Sequence, residues 1–320
     1  MNRIIISIIT IIIVGGCGGA TKRQTATDGN GDGLSGSIQL SGAFALYPMV
    51  IKWSEEFRKL HPNVQIDVSG GGAGKGMTDA LAGVADMGMV SREIYAEEIA
   101  KGAFPVAVVK DAVVPVINDR NPELAAIKKR GLSRETARKL WNKEITHWGE
   151  ITGSQDGLPL HVFTRSDACG AAETFAAWFG RKQEHLRATA VFGDPGIAVA
   201  VQKDKAGIGY NNIAYAYDQK TKKTFEGLTV IPLDLNDNGV IEPEEDFYES
   251  VETLMKAIDE GRFPSPPARD LYLVTRGRPQ RPEVIAFLAY VLNEGQQYAA
   301  ETGFIALPEE KRKAEADKLY

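Results

Sequence analysis

From Ser37 onward short apolar runs alternate with amphipathic stretches, the pattern of α/β units rather than of an all-helical or all-β chain. Ile38-Gln39-Leu40 reads as a strand, and a helix follows with Pro48 in its first turn and Val50, Trp53, Phe57 and Leu60 on one face. Val64 to Val68 alternates as a strand, and the next helix carries Met77, Ala80, Leu81 and Val84. A short strand and turn are expected at Asp86 to Arg92, and further strands at Phe104 to Val109, Ala112 to Ile117, Leu160 to Phe163, Gly207 to Tyr210, Leu228 to Leu233 and Leu271 to Val274. Helices are expected at Ser133 to Trp141, at Ala172 to Phe179 and from Pro282, the last apolar nearly all round and therefore buried. The charged end from Glu309 reads as a solvated surface helix.

The first residues break this pattern. Met1-Asn2-Arg3 is a positive start, and Ile4 to Val14 is an apolar run too short to span a bilayer comfortably. It ends in Val14-Gly15-Gly16-Cys17, which resembles a bacterial lipobox, so residues 1–16 read as a lipoprotein signal peptide and Cys17 as the lipidation site; the other reading is an ordinary secretory signal with an incidental cysteine. Residues 17–36, rich in Thr, Gly and Asp, read as a flexible tether. Lipidation would place the protein outside the cytoplasm, in the periplasm or at the cell surface, and touching membrane only through its anchor.

Composition narrows the function classes. The 320 residues carry 37 Lys and Arg against 42 Asp and Glu, a formal charge of −5, so no general field draws nucleic acid to the chain. Two cysteines exclude a disulfide-stapled scaffold, and one of them is the candidate lipid site. The 33 glycines show no collagen period, so they are placed for backbone reasons.

Three times a strand runs into a helix through a turn of small residues: Ser41-Gly42-Ala43-Phe44, Gly72-Ala73-Gly74, and Cys169-Gly170-Ala171. A helix start presents unpaired N–H groups and the positive end of its dipole, so three such starts facing one cleft would form an anion site. Arg165, and Arg92 beside Ser91, can add charge-assisted hydrogen bonds to a tetrahedral oxyanion. Asp167 either accepts from a protonated oxyanion or orients Arg165. Cys169, a thiol at a helix start beside Arg165, reads as an easily ionised nucleophile or, more simply, as a small buried residue. The four histidines form no ligand-spaced pair, and no thiol-enzyme signature is present, so no enzymatic activity and no required cofactor are expected.

The order of these pieces, Ser-Gly-Ala, Gly-Gly-Gly-Ala-Gly-Lys-Gly, Asp-Met-Gly-Met-Val-Ser-Arg, Asn118-Asp-Arg-Asn-Pro122, Arg-Ser-Asp-Ala-Cys-Gly and Gly-Ile-Gly-Tyr, resembles the phosphate-binding protein of Pst-type ABC importers from about Ser37 to Pro308. The resemblance implies an α/β, two-lobed periplasmic-binding-protein fold with an interdomain cleft, lobe I being 37–116 and 270–320 and lobe II 117–269. It places hinge strands near Val114 to Asn118 and Asp270 to Val274. It also implies a monomer that captures inorganic phosphate or a related oxyanion and delivers it to an ABC permease. This chain departs from the family pattern where hydroxyl residues are usual: Ala43 and Phe44 stand in the first turn, Ala73 in the second, and Cys169 and Ala171 in the third. Three readings follow. Phosphate is held by amides and arginines alone; the pocket is re-tuned to an organic anion whose substituent meets Phe44; or the fold persists as a surface or sensory module that has lost phosphate transport.

Residues 234–245, Asp-Leu-Asn-Asp-Asn-Gly-Val-Ile-Glu-Pro-Glu-Glu, match a twelve-position calcium loop. Asp234, Asn236, Asn238, the Val240 carbonyl and Glu245 would be ligands to a structural Ca2+, Gly239 would make the sharp turn, Ile241 would pack inward, and Pro243 would open the next helix. The other reading is a polar Asn-Gly turn ahead of an acidic helix start.

Overall fold

The computed structural model describes residues 33–155 and 157–320; the expected signal peptide, Cys17 and most of the expected tether lie outside the described residues. The strands are β1 (Gly36–Ala43), β2 (Val64–Gly71), β3 (Met87–Val90), β4 (Ala103–Asn118), β5 (His161–Arg165), β6 (Thr189–Val191), β7 (Gly207–Asn212), β8 (Leu228–Val230), β9 (Ala268–Arg276) and β10 (Ile305–Ala306). They run in the order β2-β1-β3-β9-β4-β7-β5-β6, with β8 and β10 both on β4. β1 is parallel to β2 and β3, and β7, β5 and β6 are parallel to one another. The middle pairs, β3 with β9, β9 with β4 and β4 with β7, are antiparallel.

Two buried cores explain this order. One gathers Ile38 to Val109 with Leu271 to Leu319, around Trp53, Phe57, Phe287 and Phe304. The other gathers Ala112 to Ala268 with Ile305, around Trp141, Trp148, Phe175 and Tyr210. Among the described strands, only β4 and β9 serve both. The two strands predicted at Phe104 to Val109 and Ala112 to Ile117 are one sixteen-residue strand whose register shifts between Ala107 and Val109. The change of core falls between Val109 and Ala112 and between Ala268 and Leu271, so on β4 the crossing precedes the predicted Val114 to Asn118. In the paired register Asp111 lies opposite Arg269 at the crossing.

Other elements are close to expectation. The first helix is Tyr47–Leu60 and buries Met49, Val50, Trp53 and Phe57, but Leu60 is exposed. The second is Ala73–Ala82, ended by Gly83 at φ 72°, a left-handed cap only glycine adopts cheaply, and Val84 beyond it is exposed. Helices also form over Arg134–Trp141, capped by the Ser133 hydroxyl, over Gly170–Trp178 and over Pro282–Leu292. The terminal helix Glu309–Asp317 is not a free surface element. Glu315 is buried and accepts the Ala107 N–H at 3.1 Å, and Leu319 joins the first core. No helix among the described residues is long and apolar enough to cross a membrane.

Candidate functional site

Each small-residue turn lies where a parallel strand hands over to a helix. After β1, the Phe44 N–H donates to the Gly71 carbonyl at 3.1 Å, which joins the first turn to the second. After β2, Gly72 caps Ala73–Ala82 with no side-chain acceptor, so its first-turn amides are not consumed by a cap. Beyond β5, Cys169 caps Gly170–Trp178, its Sγ accepting the Ala172 N–H at 3.3 Å.

The lobes meet on these turns. Gly74 donates its N–H to the Ala168 carbonyl at 3.2 Å. A Cβ at Gly72 would overlap that same carbonyl, and a Cβ at Gly170 would overlap the Ser91 carbonyl. The Phe44 ring packs against Gly70 and Gly193, meets Phe192 edge-on at 5.7 Å, and lies 5.8 Å from the Arg165 guanidinium. Tyr215 donates its hydroxyl to the Phe44 carbonyl at 3.0 Å. Thus Phe44, Gly72, Gly74, Ser91, Arg165, Asp167 and Gly170, drawn from both lobes, surround one junction. A groove of about 900 Å³ opens beside it, lined by Gly74, Arg92, Arg165, Ser166, Ala168, Glu173 and Lys182.

Arg165 is the charged centre of the junction, its side chain only 1% exposed. Nε and Nη2 donate to the two oxygens of Asp167 at 2.8 and 2.5 Å, and Nη1 donates to Asp194 Oδ2 at 2.7 Å. Burial opposes the guanidinium charge, but Asp194 and Asp167 more than offset it and hold its pKa above the ordinary arginine value. Asp167 therefore orients Arg165, and its Oδ1 also accepts the Gly193 N–H at 3.2 Å. Asp194 accepts from Asn212 Nδ2 at 2.6 Å, Asn212 Oδ1 accepts from Arg269, and Arg269 Nη1 donates to the Gly170 carbonyl at 3.1 Å. A buried polar chain thus connects Arg269 of β9 to Arg165.

Two predicted roles change, and the two readings of Cys169 separate in favour of the small buried residue. Adjacent side chains on a strand face opposite ways, and the Ser41 hydroxyl is committed to Asp79 Oδ2 at 2.5 Å and to the Lys75 ammonium, in a pocket with Gln39, Asp67 and Ser69. Only its peptide remains for an anion. Arg92 grips both oxygens of Glu98 at 2.9 and 2.7 Å, reaches Glu173 across the lobes at 3.4 Å and lies over the Tyr95 ring, so its guanidinium bridges the lobes instead of standing free for an anion. Cys169 is not an activated thiol: burial pushes its pKa up to about 12, and the nearby Arg165 offsets this only in part.

Sequence reasoning missed Asp194, Asn212, Arg269 and Asp111. The first had a signal, because Gly193-Asp194-Pro195 is a helix start with proline in its first turn, and Gly193–Lys203 is a helix. Asp111 is a lone acid inside an apolar run, which at a strand expected to be buried calls for a partner.

In the 234–245 loop, Asp234 accepts N–H bonds from Asn238 and Gly239 at 3.2 and 2.8 Å, and Asn236 and Asn238 accept from Asn238 and Val240 at 3.0 and 2.9 Å. Glu245 accepts from Leu235 and Glu242 at 2.8 and 3.2 Å, which closes the loop on itself. Asp237 and Gly239 take left-handed φ of 59° and 79°, and Ile241 packs on Gly131 as expected. Pro243 begins a turn rather than a helix, and the next helix is Val251–Asp259. Among the described residues no group of three or more His, Cys, Asp and Glu is placed to hold a metal.

Comparison with known proteins agrees with this architecture. The phosphate-binding protein PstS of Staphylococcus haemolyticus is 25% identical over 317 residues, covering 96% of this chain and 92% of its own length. Protein SphX of Synechococcus elongatus is 26% identical over 281 residues, 85% of this chain and 77% of its own. The structure of a substrate-binding protein with bound phosphate from Clostridium perfringens superposes with a TM-score of 0.70 at 22% identity, covering 85% of this chain and 100% of that one. An ABC-type phosphate transport receptor from Vibrio cholerae gives 0.61 at 18% identity, covering 85% and 100%. The fold is thus the two-lobed one expected. The family model described as PBP superfamily domain matches residues 21–294, and the chain belongs to that family.

Proposed function

We propose that the chain is an extracytoplasmic solute-binding lipoprotein of a phosphate-type ABC importer, capturing phosphate or a related oxyanion between its lobes and catalysing no reaction. The observation that carries this reading is the convergence of the start of Ala73–Ala82, which no side chain caps, the start of Gly170–Trp178, capped by Cys169, and the Phe44 turn on Arg165, where the lobes touch. Relatives named for phosphate binding supply the ligand class. The Arg165 N–H groups not turned to carboxylates, and the first-turn amides of Ala73–Ala82 and Gly170–Trp178 other than those of Gly74 and Ala172, would ring the anion. The two cores support lobes of 37–116 with 270–320 and of 117–269, an ABC permease would read the closed monomer, and Cys17 would carry the lipid.

One observation favours a variant of this reading. Phe44 and Phe192 put an aromatic wall at the junction, which suits an organic phosphate or phosphonate or a shell that no longer carries phosphate. Calorimetry with phosphate, arsenate, sulfate and methylphosphonate separates the cases. Phosphate is expected to bind at micromolar concentration or below and sulfate far more weakly, because Asp167 and Asp194 flank Arg165 and disfavour a fully ionised partner. No binding of any of the four at millimolar concentration would sink the capture reading.

The 234–245 loop would hold one structural Ca2+ through Asp234, Asn236, Asn238, the Val240 carbonyl and Glu245. Its carboxylates already face inward over the loop's own N–H groups, and Asp234 and Glu245 are buried, so a cation would neutralise charge that water cannot reach. Millimolar Ca2+ is expected to raise the melting temperature of chelator-treated protein by several degrees, by mass action on the folded state. An unchanged melting temperature would mean the loop is a polar turn.

A further inference from the structure

The buried chain behind Arg165 holds more acid than base. Asp167, Asp194 and Asp111 face Arg165 and Arg269, three carboxylates to two guanidinium groups. The carboxylates are not equally served. Asp167 and Asp194 have both oxygens in short hydrogen bonds. Asp111 is wholly buried on the hinge strand β4, yet its Oδ2 lies 3.5 Å from Arg269 Nη2 and its Oδ1 has no partner. Arg269 Nε is likewise unpartnered, because that guanidinium turns to Asn212 and to the Gly170 carbonyl instead. The groups facing Asp111 are Arg269 of β9, Asp194 of the helix Gly193–Lys203, Tyr215 of the short helix Ile213–Ala216, and the N–H groups of Ala112 and Ile213. Cys169 beside Arg269 is a neutral thiol and adds no charge.

An oxyanion seated on Arg165 and the start of Gly170–Trp178 would add negative charge to a cluster already in excess. Resting on the capture reading, we propose that Asp111 is the proton-holding residue of the anion site: binding of an oxyanion draws one proton from solvent onto its carboxylate, which brings the three carboxylates and two guanidinium groups of the hinge cluster from one net negative charge to balance. The proton adds to the unpaired Oδ1, no bond breaks, and the guanidinium of Arg269, which does not deprotonate in proteins, stays charged. Burial supports this, since it lifts the Asp111 pKa to about 7, where a modest added negative potential completes protonation.

The test is calorimetry of inorganic phosphate binding to wild-type protein and to Asp111→Asn, at pH 6 and pH 8, in two buffers of different ionisation enthalpy. The ligand's own second ionisation enters both proteins equally, so the difference in protons taken up belongs to Asp111. Wild-type protein is expected to take up more protons than the variant at pH 8. Its Kd is expected to weaken between pH 6 and pH 8 about tenfold more than the variant's, the size of one charge pair at about 10 Å in a medium of effective dielectric about 20. Equal proton counts and parallel affinities would overturn the proposal alone; phosphate failing to bind either protein would overturn the capture reading and this one with it. Should the variant not fold, infrared difference spectra of wild-type protein at pH 8 decide: the carbonyl stretch of a protonated carboxyl is expected on adding phosphate, and its absence would refute the assignment.

Discussion

Arg165→Ala is expected to lose at least two orders of magnitude in phosphate affinity and, separately, about 3–5 kcal/mol of stability in urea denaturation. The two losses have different causes. Each charge-assisted hydrogen bond from a guanidinium to an oxyanion contributes about 1.5–3 kcal/mol, and Arg165 keeps one N–H on each of Nη1 and Nη2 after its carboxylate partners. The stability loss comes from the buried Asp194 and the half-buried Asp167, which are left with no cation between them. Burial already raises the Asp194 pKa and Arg165 opposes that rise, so removing Arg165 raises it further. Between the unfolded value and this raised folded one, the native state holds a proton that the unfolded state does not. Stability therefore falls as pH climbs through that interval, and the deficit of the variant should shrink towards acid pH. Adding Asp194→Asn to Arg165→Ala should recover part of the stability and none of the affinity. Wild-type affinity in Arg165→Ala would remove this arginine from the anion site.

The elements were legible where period and punctuation agreed. Pro48 with Val50, Trp53 and Phe57 marked one face of a helix, and the glycines at 72, 74 and 170 marked strand-to-helix turns whose backbone approach the structure shows. The turns themselves came together as their order implied. What stayed hidden was long-range pairing. Nothing local distinguishes a serine that faces an anion from one held by Asp79 and Lys75, or an arginine free in a cleft from one gripped by Glu98 and Glu173. The same holds for β4: an apolar run interrupted at Lys110 and Asp111 reads as two strands, and only its pairing with β9 makes it one strand that passes from core to core. The charge balance of the site was hidden for the same reason, since Asp111, Asp194 and Arg269 are far apart in sequence and meet only through the hinge.

Gly72→Ala and Gly170→Ala are expected to weaken phosphate binding by about ten- to a hundredfold while leaving the melting temperature unchanged or slightly raised. Neither glycine has the positive φ that would strain alanine, and Gly72 is an extended cap at φ −82° and ψ 166°. Within its own lobe each substitution is permitted, and it restricts the unfolded chain, an effect of about 0.4–1 kcal/mol in favour of folding. Across the junction the case is opposite. The added methyl of Gly72→Ala meets the Ala168 carbonyl, that of Gly170→Ala meets the Ser91 carbonyl, and backbone on the other lobe cannot swing aside as a side chain can. The lobes must stand further apart, the Gly74 to Ala168 hydrogen bond lengthens, and the arginine on one lobe no longer shares an anion with the amides of the other. Apparent affinity then falls by the fraction of molecules that still close. Gly83→Ala provides the inverse signature: at φ 72° with open space around it, alanine should cost about 1 kcal/mol of stability and leave binding intact. Small-angle scattering with saturating phosphate should show the two junction variants more extended than wild type, and variants that close and bind like wild type would mean that this contact does not govern capture.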